Sequence, residues 1–255
     1  MQRIFLTFPL LLLGLLAHAQ ALFPELQGEA LATALRQAYT PGHVLSYRDA
    51  RDTMYALIDR QGDSVYCVYT HYARYLAPGE DPSQYLYQDG SPDGINCEHA
   101  WPRSRGGDGG HAFSDMHHLF PTRVDINQAR GNAPFGEVHD HRTRRWFWLG
   151  QERSDLPPEA TIDEYSELGD GRFEPREASK GDIARAIFYI RTIYPESAES
   201  PFFAAQFSTL RYWHEHDLPD EKEIRRTWAI AHYQDGKPNP FVLDPTLVAR
   251  LWGED

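Results

Sequence analysis

This sequence of 255 residues has few cysteines and few lysines and lacks several common catalytic motifs. It contains no His-Glu-x-x-His pattern, no Walker A loop and no Cys-x-x-Cys pair. These absences argue against a zincin protease, a P-loop enzyme and a site built on closely spaced cysteines. A hydrophobic content of 41% and an aromatic content of 13% nevertheless indicate a globular chain.

Long hydrophobic runs are also missing after the first one, which extends from Ile4 to Leu16. That run follows Arg3 and precedes Ala17-His18-Ala19, a small-x-small cleavage pattern typical of a secretory signal peptide. The run is shorter than the roughly 20 residues that a membrane-spanning helix needs. The sequence therefore predicts a signal peptide at 1–19, export to the periplasm or the medium, and no membrane partner. Residues 20–255 show no repeat or low-complexity linker and are expected to form one domain.

Lysine is nearly absent, with only three residues, and the net charge is −12. An acidic protein repels polyanions at long range, but a local basic surface dominates within a Debye length of about 8 Å. The basic residues in the middle of the chain are arginines: Arg103, Arg105, Arg123, Arg130, Arg142, Arg144 and Arg145. Planar guanidinium groups suit bidentate phosphate contacts, although a role in surface solubility is the alternative.

The two cysteines, Cys67 and Cys97, occur in a chain that is expected to be exported. Pairing in a disulfide is the expectation for that compartment. The closed loop of about 30 residues would stabilise the fold by roughly 3–4 kcal/mol.

Hydrophobic periodicity predicts several helices and few strands, that is, a helix-rich α+β domain. Helices are predicted at 24–39, 47–59, 182–190 with Asp182 as the cap, 202–213, 220–233 with Asp220 and Glu223 as a capping box, and 245–252. Strands are predicted at 64–70 and 144–149. The stretch 77–95 is expected to be loop, because it is rich in proline and glycine, and 150–181 to be acidic and turn-rich.

The most distinctive segment, residues 96–121, reads NCEHAWPRSRGGDGGHAFSDMHHLFP and contains four histidines. His111, His117 and His118 are possible zinc ligands. However, adjacent histidines on a strand point to opposite faces, and structural zinc sites normally use cysteine. Zinc is therefore disfavoured.

The Glu98-His99 pair suggests a different chemistry. Carboxylate and amide oxygens are hard ligands that suit Mg²⁺ or Ca²⁺, and neutral histidine is a good general base near pH 7. On an extended segment the two side chains diverge, so one can hold a metal while the other activates a water. A helix predicted from about Thr122 carries Asn127, which could face the Glu98 strand.

Three blocks, EHAWPRS, SDMHHLFP and NQARGNAPFG, resemble the endonuclease I family of secreted nucleases, within the His-Me finger (ββα-metal) superfamily. KGDIARAIFYI and the block beginning LRYWHEHDLPDEKEIRRTW are similar to the family's C-terminal blocks. The resemblance extends over about 45–252. It implies a ββα-metal core, His99 as the general base, and Glu98 and Asn127 as ligands of one divalent cation, Mg²⁺ with Ca²⁺ or Mn²⁺ as alternatives.

Arginines could contact the substrate phosphate. Arg130 lies three residues after Asn127, on nearly the same helical face, and is a candidate phosphate contact. The resemblance also implies an arginine that stabilises transition-state charge. Arg105 is the candidate for that role, with Arg103 or neither as the alternatives.

Three further residues are candidates for supporting roles. His118 lies nine residues before Asn127, where the wider superfamily often has asparagine, and could orient its neighbours or simply pack. Asn132 is expected to hold the turn after the helix, and Asp115 to organise the loop through backbone hydrogen bonds.

These features lead to one expectation and two alternatives. The expectation is a secreted, monomeric, metal-dependent nonspecific endonuclease that cuts DNA, RNA or both to leave 5′-phosphate ends. The first alternative is a catalytically inactive nucleic-acid-binding protein of the same fold. The second is a glycosidase with paired carboxylates, for which the acidic run 163–177 is the support.

Overall fold

The computed structural model describes residues 21–253, so the predicted signal peptide lies outside the described residues. The helices are α1 (Gly28–Tyr39), α2 (Tyr47–Thr53), α3 (Pro82–Tyr87), α4 (Val124–Arg130), α5 (Lys180–Ile193), α6 (Ser200–Ala204), α7 (Phe207–His216), α8 (Glu221–Ala231), α9 (Pro240–Leu243) and α10 (Leu247–Trp252). The strands are β1 (Arg60–Gln61), β2 (Ser64–Tyr66), β3 (Ala73–Tyr75), β4 (Ile95–His99), β5 (Leu119–Arg123), β6 (Thr143–Trp148), β7 (Gln151–Arg153), β8 (Ser166–Gly169) and β9 (Arg172–Glu174). The α+β class is confirmed.

The strands form three small antiparallel sheets, with the orders β1-β2-β3, β4-β5 and β7-β6-β8-β9. In the two-stranded sheet, Glu98 pairs with Phe120 and His99 with Leu119. Helix α4 begins at the residue after β5. This arrangement brings the end of β4 close to α4, because the antiparallel partner leads directly into the helix.

Helix α5 lies at the centre of the core. Almost all of its side chains are buried, including Ile187 and Phe188. Helices α1, α7 and α9 and the short helical turn 116–118 pack against it. Only Asp182 and Arg191 of this helix are not fully buried. No helix within 21–253 combines the length and the apolar character needed to cross a bilayer.

Two segments differ from the sequence prediction. The stretch 77–95 contains helix α3, whose first turn begins with Pro82 and is capped by the Asp81 carboxylate. Proline is compatible with that position because the first helical N–H groups need no helical partner. The stretch 150–181 contains three short strands, β7 to β9, so the expectation of few strands is wrong. These strands have only three or four residues each, too few for a clear alternating pattern.

The helix caps are predicted correctly in one case and wrongly in another. The Asp220 carboxylate accepts a hydrogen bond from the Glu223 N–H at 2.7 Å and begins α8, as predicted, but the Glu223 carboxylate pairs with Arg185 and does not complete the capping box. Asp182 does not cap its helix, because α5 begins two residues earlier, after Ser179. Asp182 instead lies in the first turn, where a carboxylate interacts favourably with the helix dipole.

Cys67 and Cys97 are both buried and free, so the predicted disulfide is wrong. The Cys67 sulfur lies 3.4 Å from the hydroxyl oxygen of Thr122 on β5. Cys97 on β4 is paired with Pro121, the residue before Thr122. Successive residues of a strand point to opposite faces, so the two thiols lie on opposite faces of the β4–β5 pair.

Candidate active site

A cavity of about 640 Å³ opens beside the end of β4. Its walls come from β4, α2, α4 and the loop 102–108. Four of the residues singled out in the sequence line it: Glu98, His99, Asn127 and Arg130. The fold therefore brings together side chains that are separated by about thirty residues along the chain, because β5 returns the chain antiparallel to β4 before α4 begins.

His99 is held in one orientation by its surroundings. Its Nε2 lies 3.0 Å from the carbonyl oxygen of Phe113, and its ring stacks on the Phe113 ring. A carbonyl oxygen only accepts, so Nε2 carries the proton and Nδ1 keeps a lone pair. Burial, reinforced by the nearby His118 and only partly opposed by the Phe113 hydrogen bond, lowers the pKa of His99 to about 3. The ring is therefore neutral at neutral pH and can accept a proton at Nδ1.

Glu98 is almost completely buried on the other face of β4. The Tyr69 hydroxyl donates a hydrogen bond of 2.6 Å to its Oε1, and the Arg130 guanidinium lies 3.1 Å from the same oxygen. Burial raises the pKa of Glu98, while Arg130 and Tyr69 oppose that rise. Two groups thus fix one carboxylate oxygen and leave Oε2 for another partner.

Asn127 lies on α4, opposite β4. Its side-chain nitrogen donates to the side-chain oxygen of Asn96 at 2.8 Å and to the carbonyl oxygen of Cys97 at 3.1 Å. Because both bonds use the amide nitrogen, the amide oxygen remains an acceptor. Asn96, which sequence reasoning missed, thus orients Asn127.

Arg130 is buried behind Glu98 rather than exposed to a substrate. It donates to the carbonyl oxygens of His99 at 3.2 Å and Ala100 at 2.9 Å, and it lies over the Phe135 ring. These bonds tie α4 to the end of β4. They use the donors that a phosphate contact would need.

The other arginine candidates lie on different sides of the loop. Arg105 does not line the cavity, because its guanidinium forms an ion pair with Glu199 at 3.2 Å and lies over Phe202. Arg103 does line the cavity, and its guanidinium lies 4.9 Å from the centre of the Phe113 ring. Within residues 21–253 Arg103 has no ion pair.

The supporting candidates surround the cavity without lining it. His118 is buried, donates through Nε2 to the carbonyl oxygen of Ala112, and packs edge-on against the His99 ring at 5.5 Å. Asn132 is exposed and lies 3.4 Å from the Ser104 hydroxyl. Neither side chain lines the cavity, and His118 contacts the His99 ring through packing.

Asp115 is a buried hydrogen-bonding centre. Its carboxylate accepts hydrogen bonds of 2.7 Å from the hydroxyls of Tyr189 and Tyr194, and it also accepts from the Gln234 amide and the His117 N–H. Burial alone would raise the pKa of Asp115, but the charge of His117 and these hydrogen bonds lower it below its ordinary value. This residue anchors the turn 116–118 to α5.

Helix α2 contributes two cavity residues that the sequence analysis did not single out, Tyr47 and Arg51. They are separated by four residues, so they share one helix face, and the Arg51 guanidinium lies 4.7 Å from the centre of the Tyr47 ring. The Tyr47 ring lies 5.4 Å from the His99 ring. The i, i+4 spacing of an aromatic and a basic residue is the sequence feature that could have identified this pair.

The glycine-rich loop between His99 and α4 is required by close packing. Gly106 has a φ of +100°, and a side-chain carbon there would lie 2.1 Å from the carbonyl oxygen of Ser197. Only glycine fits that conformation and that distance. The loop 102–108 therefore turns tightly and presents Arg103 to the cavity.

The donors in the cavity fit a hard divalent cation. Across residues 21–253 no group of three or more histidine, cysteine, aspartate or glutamate side chains could hold a metal. Mg²⁺, however, keeps several waters and is commonly bound by one or two carboxylates together with substrate phosphates. The free oxygens of Glu98 and Asn127 supply such a partial set, which suits Mg²⁺, Ca²⁺ or Mn²⁺ better than Zn²⁺.

Comparisons with known proteins identify a family and two similar proteins. The model of the Endonuclease I family matches residues 27–246. An extracellular ribonuclease of Bacillus amyloliquefaciens is 32% identical over 179 residues, 64% of this chain and 55% of that protein. An extracellular ribonuclease of Bacillus subtilis (strain 168) is 27% identical over 244 residues, 88% of this chain and 75% of that protein. The chain thus spans about half of the first relative and three quarters of the second.

Proposed function

Because this chain belongs to the endonuclease I family, we propose that it is a secreted, divalent-metal-dependent endonuclease that hydrolyses nucleic-acid phosphodiester bonds. The family resemblance in the sequence is confirmed. The observation that carries the proposal is a neutral His99 with a free Nδ1 in the same cavity as Glu98 and Asn127. The relatives' names support secretion and RNA as a substrate. The succession of β4, β5 and α4 supports a His-Me finger core.

His99 would act as the general base. Its Nδ1 takes the proton of the water that attacks phosphorus, while the Nε2–H bond to Phe113 keeps the ring in place. Burial keeps the resting imidazole neutral, so no competing proton has to leave first. A bound phosphate anion raises the basicity of the ring, because negative charge favours the protonated form.

Glu98 and Asn127 would hold the cation, Mg²⁺ in the first instance and Ca²⁺ or Mn²⁺ as alternatives. When bound, the ion supplies positive charge that stabilises the transition state and the leaving 3′ oxygen. Tyr69 and Arg130 hold the Glu98 carboxylate in position. Asn96 does the same for Asn127. Departure of the 3′ oxygen leaves the phosphate on the 5′ end of the product.

Arg103 is the arginine best placed to contact the scissile phosphate. It lines the cavity over the ring of Phe113, the residue that also orients His99. A guanidinium there stabilises the additional negative charge that develops on the phosphate oxygens. Arg105, the sequence candidate for this role, is engaged with Glu199.

The proposal is tested by incubating the protein with plasmid DNA and with single- and double-stranded RNA, in Mg²⁺ and in excess EDTA. We expect cleavage in Mg²⁺, none in EDTA, and product ends that accept a kinase label only after phosphatase treatment. His99→Ala should reduce the rate by roughly 10²–10⁴-fold. The matched control is His111→Ala, an exposed histidine outside the cavity.

Two results would count against the proposal. Intact substrates under all of these conditions, combined with salt-dependent binding, would favour the inactive nucleic-acid-binding protein. Full activity in the His99→Ala variant would exclude His99 as the base. Reduced activity in both histidine variants would indicate a general effect on folding, which circular dichroism would reveal.

A further inference from the structure

Arg51 is an unneutralised cation in a cavity of an acidic protein. Most of the arginines within residues 21–253 are paired with a carboxylate, but the guanidinium of Arg51 has neither an ion pair nor a hydrogen bond to any described residue. Its Nε is buried without a partner. The net charge of −12 means that carboxylates are plentiful. A guanidinium left without one at a cavity is available to an anionic ligand.

The position of Arg51 is set by an aromatic stack beside His99. The Tyr47 ring centre lies 4.7 Å from the Arg51 guanidinium carbon and 4.4 Å from the centre of the Phe113 ring. The Arg103 guanidinium lies over Phe113, at 4.9 Å. The two arginines therefore each pack on one of the two rings that lie next to His99. Stacking on a ring leaves the N–H edge of a guanidinium free to donate.

The two arginines are held by different parts of the cavity. In the proposed function the scissile phosphate lies next to Nδ1 of His99, and Arg103 is the arginine assigned to it. Arg51 comes from a different element, α2, and packs on Tyr47, whereas Arg103 comes from the loop 102–108 and packs on Phe113. The cavity of about 640 Å³ extends past His99 to both arginines and leaves room for the chain next to the cleaved bond.

We infer that Arg51 binds a second phosphate of the substrate, next to the one that is cleaved. The inference rests on the proposed function and adds a substrate class: a polynucleotide strand with at least two successive phosphates. Arg51 contributes to affinity through charge and hydrogen bonds to a phosphate, without reading the base. Its removal should therefore weaken the binding of all sequences alike.

The test measures binding without turnover. In the His99→Ala background, the affinity for a fluorescent single-stranded RNA oligonucleotide is measured by anisotropy between 50 and 200 mM KCl at constant Mg²⁺. Adding Arg51→Ala should raise Kd about tenfold and reduce the slope of log K against log salt by roughly 0.7, the loss of one phosphate contact on a single strand. Arg51→Lys, which keeps the charge, should retain the slope.

Arg144→Ala in the same background is the matched control. Arg144 is an exposed arginine on β6, outside the cavity, and its replacement removes the same charge. If Arg51→Ala and Arg144→Ala give the same Kd and slope, the second phosphate contact is refuted. Arg51→Gln repeats the test should the alanine variant fold poorly. The experiment distinguishes failure of this inference from failure of the proposed function. If the protein binds RNA through Arg51 but the wild type does not cleave it, only the proposed activity is refuted.

Discussion

At the scale of the residue, hydrogen bonds in the cavity occupy one atom of each polar side chain and leave another atom available. The Phe113 carbonyl leaves Nδ1 of His99 free, Tyr69 and Arg130 leave one oxygen of Glu98 free, and Asn96 leaves the amide oxygen of Asn127 free. Sequence reasoning reached His99, Glu98 and Asn127. It did not predict the hydrogen bonds that hold these side chains in place, because a contact with a backbone carbonyl or a distant tyrosine leaves no local sequence pattern.

The contacts of Arg130 likewise could not be predicted from local sequence. Its spacing from Asn127 predicted a shared helix face, and both residues do line the cavity. The spacing could not reveal that the guanidinium would be buried against Glu98 and two carbonyl oxygens. A basic residue on the face of a helix that lines a cavity can therefore hold a buried carboxylate and backbone carbonyls in place.

Asp115→Asn should lower the free energy of unfolding by roughly 3 kcal/mol, because asparagine has only one acceptor oxygen. In either orientation its amide nitrogen faces two donors, the hydroxyls of Tyr189 and Tyr194 or the Gln234 amide and the His117 N–H. The folded-state pKa of Asp115 is lowered, so its stabilisation is present above the unfolded pKa and is lost as pH falls through the folded pKa. The difference between wild type and variant should therefore be constant near pH 7 and shrink below about pH 4.

Urea unfolding at several pH values measures this difference. Asp163→Asn is the control, because that carboxylate is exposed and the substitution should change stability by less than about 0.5 kcal/mol. An Asp115→Asn variant as stable as this control would contradict the structural role given to Asp115.

At the scale of the element, helices were predicted better than strands. Helices α1, α2, α8 and α10 follow hydrophobic periodicity over one to three turns, and Asp220 marks the beginning of α8. Strands β7 to β9 are three or four residues long and lie in an acidic stretch, so no alternating pattern identifies them. Strands β7 and β8 pair with β6, and β9 pairs with β8. The β6–β8 pairing joins segments that are distant along the chain, so local sequence does not reveal it.

Two helix caps should have different effects on function. The Ser46 hydroxyl accepts from the Asp49 N–H and caps α2, which carries Arg51 into the cavity. The Asp220 carboxylate caps α8, which does not line the cavity. Replacing either cap by alanine should lower the free energy of unfolding by about 1 kcal/mol. Only Ser46→Ala should also raise KM for RNA, because fraying of α2 displaces Arg51.

Thermal unfolding and initial-rate measurements on both variants provide the comparison. Equal KM values for the two variants would show that the cavity does not depend on the first turn of α2. A raised KM in Asp220→Ala would instead mean that α8 influences the cavity through its packing.

At the scale of the whole molecule, charge and cysteine chemistry both depend on the tertiary structure. The protein has a net charge of −12. Its cavity nevertheless contains the guanidinium groups of Arg51 and Arg103, which have no carboxylate partner among residues 21–253. Ion pairs elsewhere neutralise most of the remaining arginines. Binding of a polyanion should therefore be short-ranged and weakly steered at a distance.

The two thiols should be reduced and protected in the folded protein. Burial raises the pKa of Cys97 to about 12, so native protein should react slowly with iodoacetamide. Unfolding in guanidinium without a reductant should expose two thiols, and mass spectrometry should show two added groups. The same count with reductant is the control. If the thiols were labelled only after treatment with a reductant, the result would support the predicted disulfide.

The sequence by itself determined the α+β class, most helices, the family, and a candidate set of Glu98, His99 and Asn127. These follow from local periodicity and from motifs in a fixed order. Both can be recognised in the sequence without knowledge of the tertiary structure. Only the tertiary structure decided that the thiols lie apart, that Arg105 turns towards Glu199, and that Arg51 joins the cavity. Each of these outcomes depends on strand pairing and packing between distant segments, because side-chain direction is set by neighbours that local sequence does not specify.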